Sequence, residues 1–205
     1  MHSSLILLVT TFTALAAPNP IGSRTNSHGR GHGDGPSCDA KPPRDGKCWK
    51  DILGLQWTVH GFDYHALYTY TNPAHQNSWG YVNFNLTNNV VPYTAVCGAS
   101  SSQLTDFFYG NVDYDCTLPA TAPAGSAVKF RFSRPGGQLD IEESIICSEK
   151  KTSGVFVASG STSFTLSCTD TTNVTENWEP GMIYSSREVK CAPIDITFSP
   201  SQVVG

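Results

Sequence analysis

The sequence predicts an all-β protein: a single antiparallel β-barrel or sandwich of about nine or more short strands, stapled by disulfides. Three observations carry this prediction. Several segments alternate apolar and polar side chains with a period of two, clusters of Gly, Pro and Asn separate them, and no segment after Cys48 has the apolar spacing of a three-turn amphipathic helix. One wet face per strand is the mark of an antiparallel sheet packed on a single core.

The candidate strands follow in order. Residues 56–63 and 64–71 are read as two strands, the second carrying Tyr64, Tyr68 and Tyr70 on one parity. WGYVNFNLTN puts Val82, Phe84 and Leu86 on one face and Asn83 and Asn85 on the other. Residues 100–109 can open a short helical turn, with Ser102 ahead of Leu104, Phe107 and Phe108. AVKFRFS points Val128, Phe130 and Phe132 inward, between Lys129 and Arg131. Strands are also expected over 139–147, 154–158 and 183–190. STSFTLSC aligns Phe164, Leu166 and Cys168, and PIDITFS aligns Ile194, Ile196 and Phe198 against Asp195 and Thr197.

The N-terminal part reads differently. Residues 1–16 form a secretory signal peptide: an apolar run over 5–16 ends in Ala14-Leu15-Ala16, with cleavage expected after Ala16. A membrane anchor needs about 20 apolar residues, more than this run supplies. Residues 17–47 form an arm rich in Gly, Pro and His, with almost no large apolar side chain to offset the entropy of ordering it. Its His28, His32 and Asp34 lack a closing set of ligands, so no metal site is assigned. The β domain is expected over 48–205. With 13 Lys and Arg against 17 Asp and Glu, the net charge of -4 gives no basic field for nucleic acid or an anionic membrane.

All 7 cysteines (Cys38, Cys48, Cys97, Cys116, Cys147, Cys168 and Cys191) follow the cleavage point, in a chain bound for an oxidising, extracellular compartment. An odd number cannot all pair within one chain, and spacing leaves the arrangement open. Cys97 and Cys116 can close a short loop, and Cys168 and Cys191 each end a candidate strand. Asn85-Leu86-Thr87 and Asn173-Val174-Thr175 are glycosylation sequons.

Residues that could carry chemistry are few. In QLDIEESIIC, Glu143 shares parity with Leu139, Ile141, Ile145 and Cys147. A carboxylate on that apolar face would have its pKa raised, as a general acid requires. The reading adopted is instead a β-bulge at Glu142 and Glu143 that turns both to water and brings Ile146 inward, because an unpaired buried carboxylate is costly. A glycosidase needs a second carboxylate at a set separation, and Asp63 or Asp106 would be arbitrary choices. His60, His65 and His75 lie near Asp63 without any hydrolase or metalloprotease motif, and are read as surface histidines. Trp79, Trp178 and Tyr184 lie near loops and are candidate contacts for a flat or glycan ligand.

The run AVCGASSSQLTDFFYGNVDYDC, followed by AVKFRFS, GGQLDIE, FVASG, a strand ending in Cys168 and a final cysteine before a closing strand, resembles the Alternaria major-allergen family of fungal secreted proteins. CWKDILGLQWTVHGFDYHALY resembles that family's first strand, and WGYVNFNL its next. The resemblance covers about residues 48–198. It implies a compact antiparallel β-barrel and the disulfides Cys97 with Cys116 and Cys168 with Cys191. It also implies that Cys48, ahead of Trp57, can bridge two chains of a dimer. Cys38 and Cys147 depart from the family pattern. The favoured resolution pairs Cys48 with Cys147 and leaves Cys38 as a possible intermolecular thiol.

The expected function is that of a secreted, non-catalytic binding protein of the allergen-like type, an effector or elicitor at a host interface. It would need no cofactor, and its partner would be a host extracellular protein or a small aromatic or glycan ligand. The alternative is a secreted carbohydrate-active enzyme or a cell-wall carbohydrate-binding module.

Overall fold

The computed structural model describes residues 48–149 and 152–205. The expected signal peptide, the arm over 17–47 and Cys38 lie outside the described residues. The described chain enters through a single helical turn, α1 (Cys48–Asp51), and a 3-10 turn (Ile52–Gly54), after which its regular elements are all strands. In the first sheet are β1 (Trp57–Asn72), β2 (His75–Asn88), β3 (Ala95–Ser101), β8 (Cys168–Val174), β9 (Ser185–Cys191) and β10 (Ile194–Phe198). The second holds β4 (Tyr114–Asp115), β5 (Ala127–Ser133), β6 (Gln138–Glu149), β7 (Thr152–Ser163) and β11 (Gln202–Val204).

Strand order is β3-β2-β1-β9-β8 in the first sheet, with β10 also on β1, and β11-β7-β6-β5-β4 in the second. All named pairings are antiparallel. The two sheets face each other as a sandwich and do not close into the barrel that the resemblance implies. They are instead fastened locally. On one side Val96 and Thr117 exchange backbone hydrogen bonds of 2.9 and 2.8 Å, beside the Cys97–Cys116 disulfide. On the other, the chain leaves β10 in the first sheet and turns at Pro200 to become β11 in the second.

The alternating segments bury the faces their parity predicts. Val82, Phe84 and Leu86 of β2 and Val128, Phe130 and Phe132 of β5 are all buried, and Ile194, Ile196 and Phe198 of β10 pack half-buried on the core. The segments read as two strands, 56–63 and 64–71, are one bent strand. Trp57 and Val59 point inward, then Phe62, Tyr64, Ala66 and Tyr68, so the inward parity changes from odd to even. The change occurs where His60 pairs with Asn85 but Asp63 pairs with Asn83, a bulge formed at Gly61 with φ 61°. Its N–H donates to the Asp195 carboxylate at 2.7 Å. The bulge seats Phe62 among Phe84, Phe132 and Phe164, with ring centroids 5.6, 5.0 and 5.1 Å away.

Other expectations are corrected. Residues 100–109 form no helical turn; β3 ends there and Gln103 bridges to Phe107. The strand expected over 161–168 is divided, since β7 stops at Ser163 and β8 starts at Cys168.

Candidate functional site

Glu143 is the largest correction. β6 pairs with β5 and β7 in unbroken register through Glu142 and Glu143, so there is no bulge, and Glu143 is 1% exposed among the core side chains. Ile146 is half-buried rather than a core residue. The penalty that favoured a bulge is met by hydrogen bonding. Trp57 Nε1 donates to Glu143 Oε2 at 2.6 Å, and Asn88 Nδ2 donates to Oε1 and Oε2 at 3.0 and 2.9 Å. Asn88 is itself fixed, its Oδ1 accepting from the backbone N–H groups of Val90 and Val91 at 2.8 Å each. Burial holds the Glu143 carboxyl above its ordinary value, opposed by the donors on Trp57 and Asn88 and by the Tyr93 hydroxyl. That hydroxyl lies near the carboxyl but outside hydrogen-bonding geometry, and the Ser126 hydroxyl is likewise buried without a partner. The arrangement is a buried polar cluster joining β1, β2 and β6, in which the Glu143 carboxylate itself is hydrogen-bonded and away from solvent.

The disulfides are Cys48–Cys147, Cys97–Cys116 and Cys168–Cys191. The first ties α1 to β6, on the same face as Glu143. The second joins the two sheets' edges, and the third sits across the β8–β9 ladder, where the two cysteines are directly opposite.

The candidate ligand contacts are only partly brought together. Trp178 and Tyr184, in the loop joining β8 and β9, meet edge to face with centroids 5.9 Å apart, and Trp178 Nε1 donates to the Met182 carbonyl at 2.9 Å. Met182, Ile183 and Val174 beside them are exposed. Trp79 lies elsewhere, 46% exposed on the outer face of β2, opposite Leu67. Asn85 and Asn173 are both exposed, as a glycan acceptor must be. Of the histidines, His65 joins Tyr81 (2.8 Å from its Nδ1) and Asp63 (2.9 Å from its Nε2) in a chain on the outer face of the first sheet. His60 meets Thr87, and His75 meets Thr71 across the β1–β2 turn. Among the described residues no three His, Cys, Asp or Glu side chains are placed to hold a metal.

The sequence reading missed a cleft of about 320 Å³ at the β8 edge, lined by Tyr64, Tyr68, Asp106, Arg134, Leu166, Cys168, Asp170, Arg187 and Val189. Arg134 lies over the Tyr64 ring at 5.1 Å and Arg187 over the Tyr68 ring at 4.9 Å. The Arg187 Nε reaches both Asp170 oxygens at 2.9 and 3.0 Å, a pairing that raises the arginine and lowers the carboxyl. The Tyr68 hydroxyl donates to the Thr105 carbonyl at 2.8 Å. Burial pushes the Tyr64 hydroxyl up to about 12, so both rings are neutral phenols at any physiological pH. No sequence motif announces this cleft, because its charged groups come from four separate segments.

The fold and its three cross-links define a class: an antiparallel β-sandwich held by disulfides, with its ionisable core residue buried and hydrogen-bonded. The Alternaria alternata allergen 1 family model matches residues 59–191, and the chain belongs to that family. No curated protein and no solved structure matches the chain.

Proposed function

We propose that this is a secreted, non-catalytic binding protein that acts at a host interface as an effector or elicitor. Membership of an allergen family supports an allergen-like protein, and the three disulfides suit a life outside the cell. The observation that carries the binding reading is the β8–β9 loop. There Trp178 and Tyr184 form an edge-to-face aromatic pair bordered by exposed Met182, Ile183 and Val174, a composition typical of contact surfaces. Glu143, on which an enzymatic reading would depend, is hydrogen-bonded and away from solvent. The favoured partner is a host extracellular protein, and Cys38 is a candidate for linking two chains.

The test immobilises the mature protein and its Trp178→Ala variant, and passes host apoplastic extract and a polysaccharide panel over each. A host protein retained by the wild type and lost by the variant is expected. Firm retention by one polysaccharide, with nothing taken from the extract, would replace this reading with a carbohydrate-binding module. A hydrolytic activity on the panel that disappears in Glu143→Gln would replace it with an enzyme.

A further inference from the structure

The arginines of the described residues are not in equivalent surroundings. Arg131 lies between Asp113 and Asp140, at 3.5 and 3.6 Å, and Arg187 is forked onto Asp170. Among the described residues Arg134 has no carboxylate within ion-pairing distance. It is half-buried, it stacks on Tyr64, and beyond that ring its guanidinium contacts Cys168 Sγ at 3.7 Å. A guanidinium presents planar, paired N–H donors that match a carboxylate and keep their charge at all accessible pH. Partial burial weakens the competition from water for those donors.

We propose that the cleft at the β8 edge binds a small monocarboxylate with a flat apolar body, its carboxylate paired to Arg134. The body of the ligand meets one half-buried apolar side chain, Leu166, with Val189 and the Arg187-covered Tyr68 ring beneath it. The cleft's volume, about 320 Å³, is at the small end for ligand sites and suits one ring rather than a polycyclic or oligomeric ligand. Charge sets the rest of the selectivity. Asp106 and Asp170 face the same cleft, and Arg187 is already neutralised by Asp170. The two arginines and two aspartates of the lining sum to zero, so one incoming carboxylate pairs with Arg134 against the single repulsion of Asp106, and each further negative charge adds repulsion with no free arginine to meet it. The site therefore discriminates against phosphate and against dicarboxylates. It shares no residue with the β8–β9 loop surface; it rests on the binding-protein reading only in that the protein takes a ligand, and loss of host-protein capture in Trp178→Ala leaves it standing.

Benzoate, benzyl alcohol and inorganic phosphate are the probes, titrated into the ¹⁵N-labelled mature protein and followed by amide chemical shifts. Benzoate is expected to saturate, with the largest shifts at Arg134, Leu166 and Val189, while benzyl alcohol and phosphate do not. Arg134→Gln should weaken benzoate at least about tenfold, consistent with the loss of a charged hydrogen-bond pair. Arg134→Lys should fall between, since it keeps the charge but loses the fork. Arg131→Gln, the same charge change on the outer face of β5, should leave benzoate binding unaltered. The proposal is overturned by benzyl alcohol binding as tightly as benzoate, by Arg134→Gln binding as the wild type does, or by no saturation with about 10 mM benzoate. Because the wild-type shift map needs no variant, failure of Arg134→Gln to fold would still leave the site testable.

Discussion

At the residue scale, Glu143 joins a chemical group to a pH dependence. Its folded-state value is raised by burial, so the folded protein holds that proton more tightly than the unfolded chain does. The stabilising contribution of the protonated form is complete below the ordinary carboxylate value and is lost as pH rises through the raised one. Comparing the urea midpoints of the wild type and Glu143→Gln across that window should show the wild type losing stability with rising pH relative to the variant. Glu143→Ala should cost about 3 kcal/mol at acidic pH, because it strands the buried donors of Trp57 and Asn88 and opens a cavity. The side chain's position was legible from parity alone. Its partners were not, since they lie 86 and 55 residues away in sequence and only the folded sheets bring them to the carboxylate. An unpaired carboxylate would be too costly to bury, but Trp57 and Asn88 pair this one, so Glu143 faces the core rather than water. The cleft arginines were illegible for the same reason: Arg134 leaves a β-hairpin turn and Arg187 an ordinary strand.

At the scale of elements, β1 shows how a single glycine directs a strand. Gly61 takes a left-handed conformation with open space around its missing side chain, so Gly61→Ala should cost only the backbone strain, about 1 to 2 kcal/mol in thermal unfolding. Gly160 is different. A Cβ there would lie 2.8 Å from the Pro200 Cα and 3.1 Å from both the Ser201 nitrogen and the Trp57 ring, with backbone on one side and a core ring on the other. Gly160→Ala should destabilise more than Gly61→Ala, and amide exchange in β11 should rise, since Ser201 N–H is bonded to the Ser159 carbonyl beside it. The bulge explains why β1 reads as two strands in sequence: its inward parity changes midway. β8 was invisible for another reason. CTDTTNV is exposed along nearly its whole length and has no apolar alternation to show.

At the scale of the molecule, the disulfides differ in what they constrain. Cys48–Cys147 spans 99 residues and Cys97–Cys116 spans 19, so in the chain-entropy model the first restricts the unfolded chain by about 1.5 kcal/mol more. Replacing both cysteines of each pair by alanine should lower the denaturant midpoint more for the first pair. A larger loss for the second would show that fastening the sheet edges at Val96 and Thr117 outweighs loop closure. The all-β class followed from the period-two segments, whose faces are set locally. Whether the sheets close depends on contacts between strands distant in sequence, and no local pattern reports those.

The pairing of β1 carries a consequence for time. Trp57 is among the first strand residues to leave the ribosome, yet its neighbour across the ladder is Phe198, and the other half of β1 waits for β9. Until the last strands are synthesised, only β2 can pair with β1, and the opposite edge of this apolar strand stays open. The first sheet is therefore completed late, although β1–β2–β3 and β5–β6–β7 join sequence neighbours and can pair earlier. A ribosome that stalls before β9 releases a chain with its sheet edge bare, and the interval between the first strand and the last is when a folding helper has most to protect.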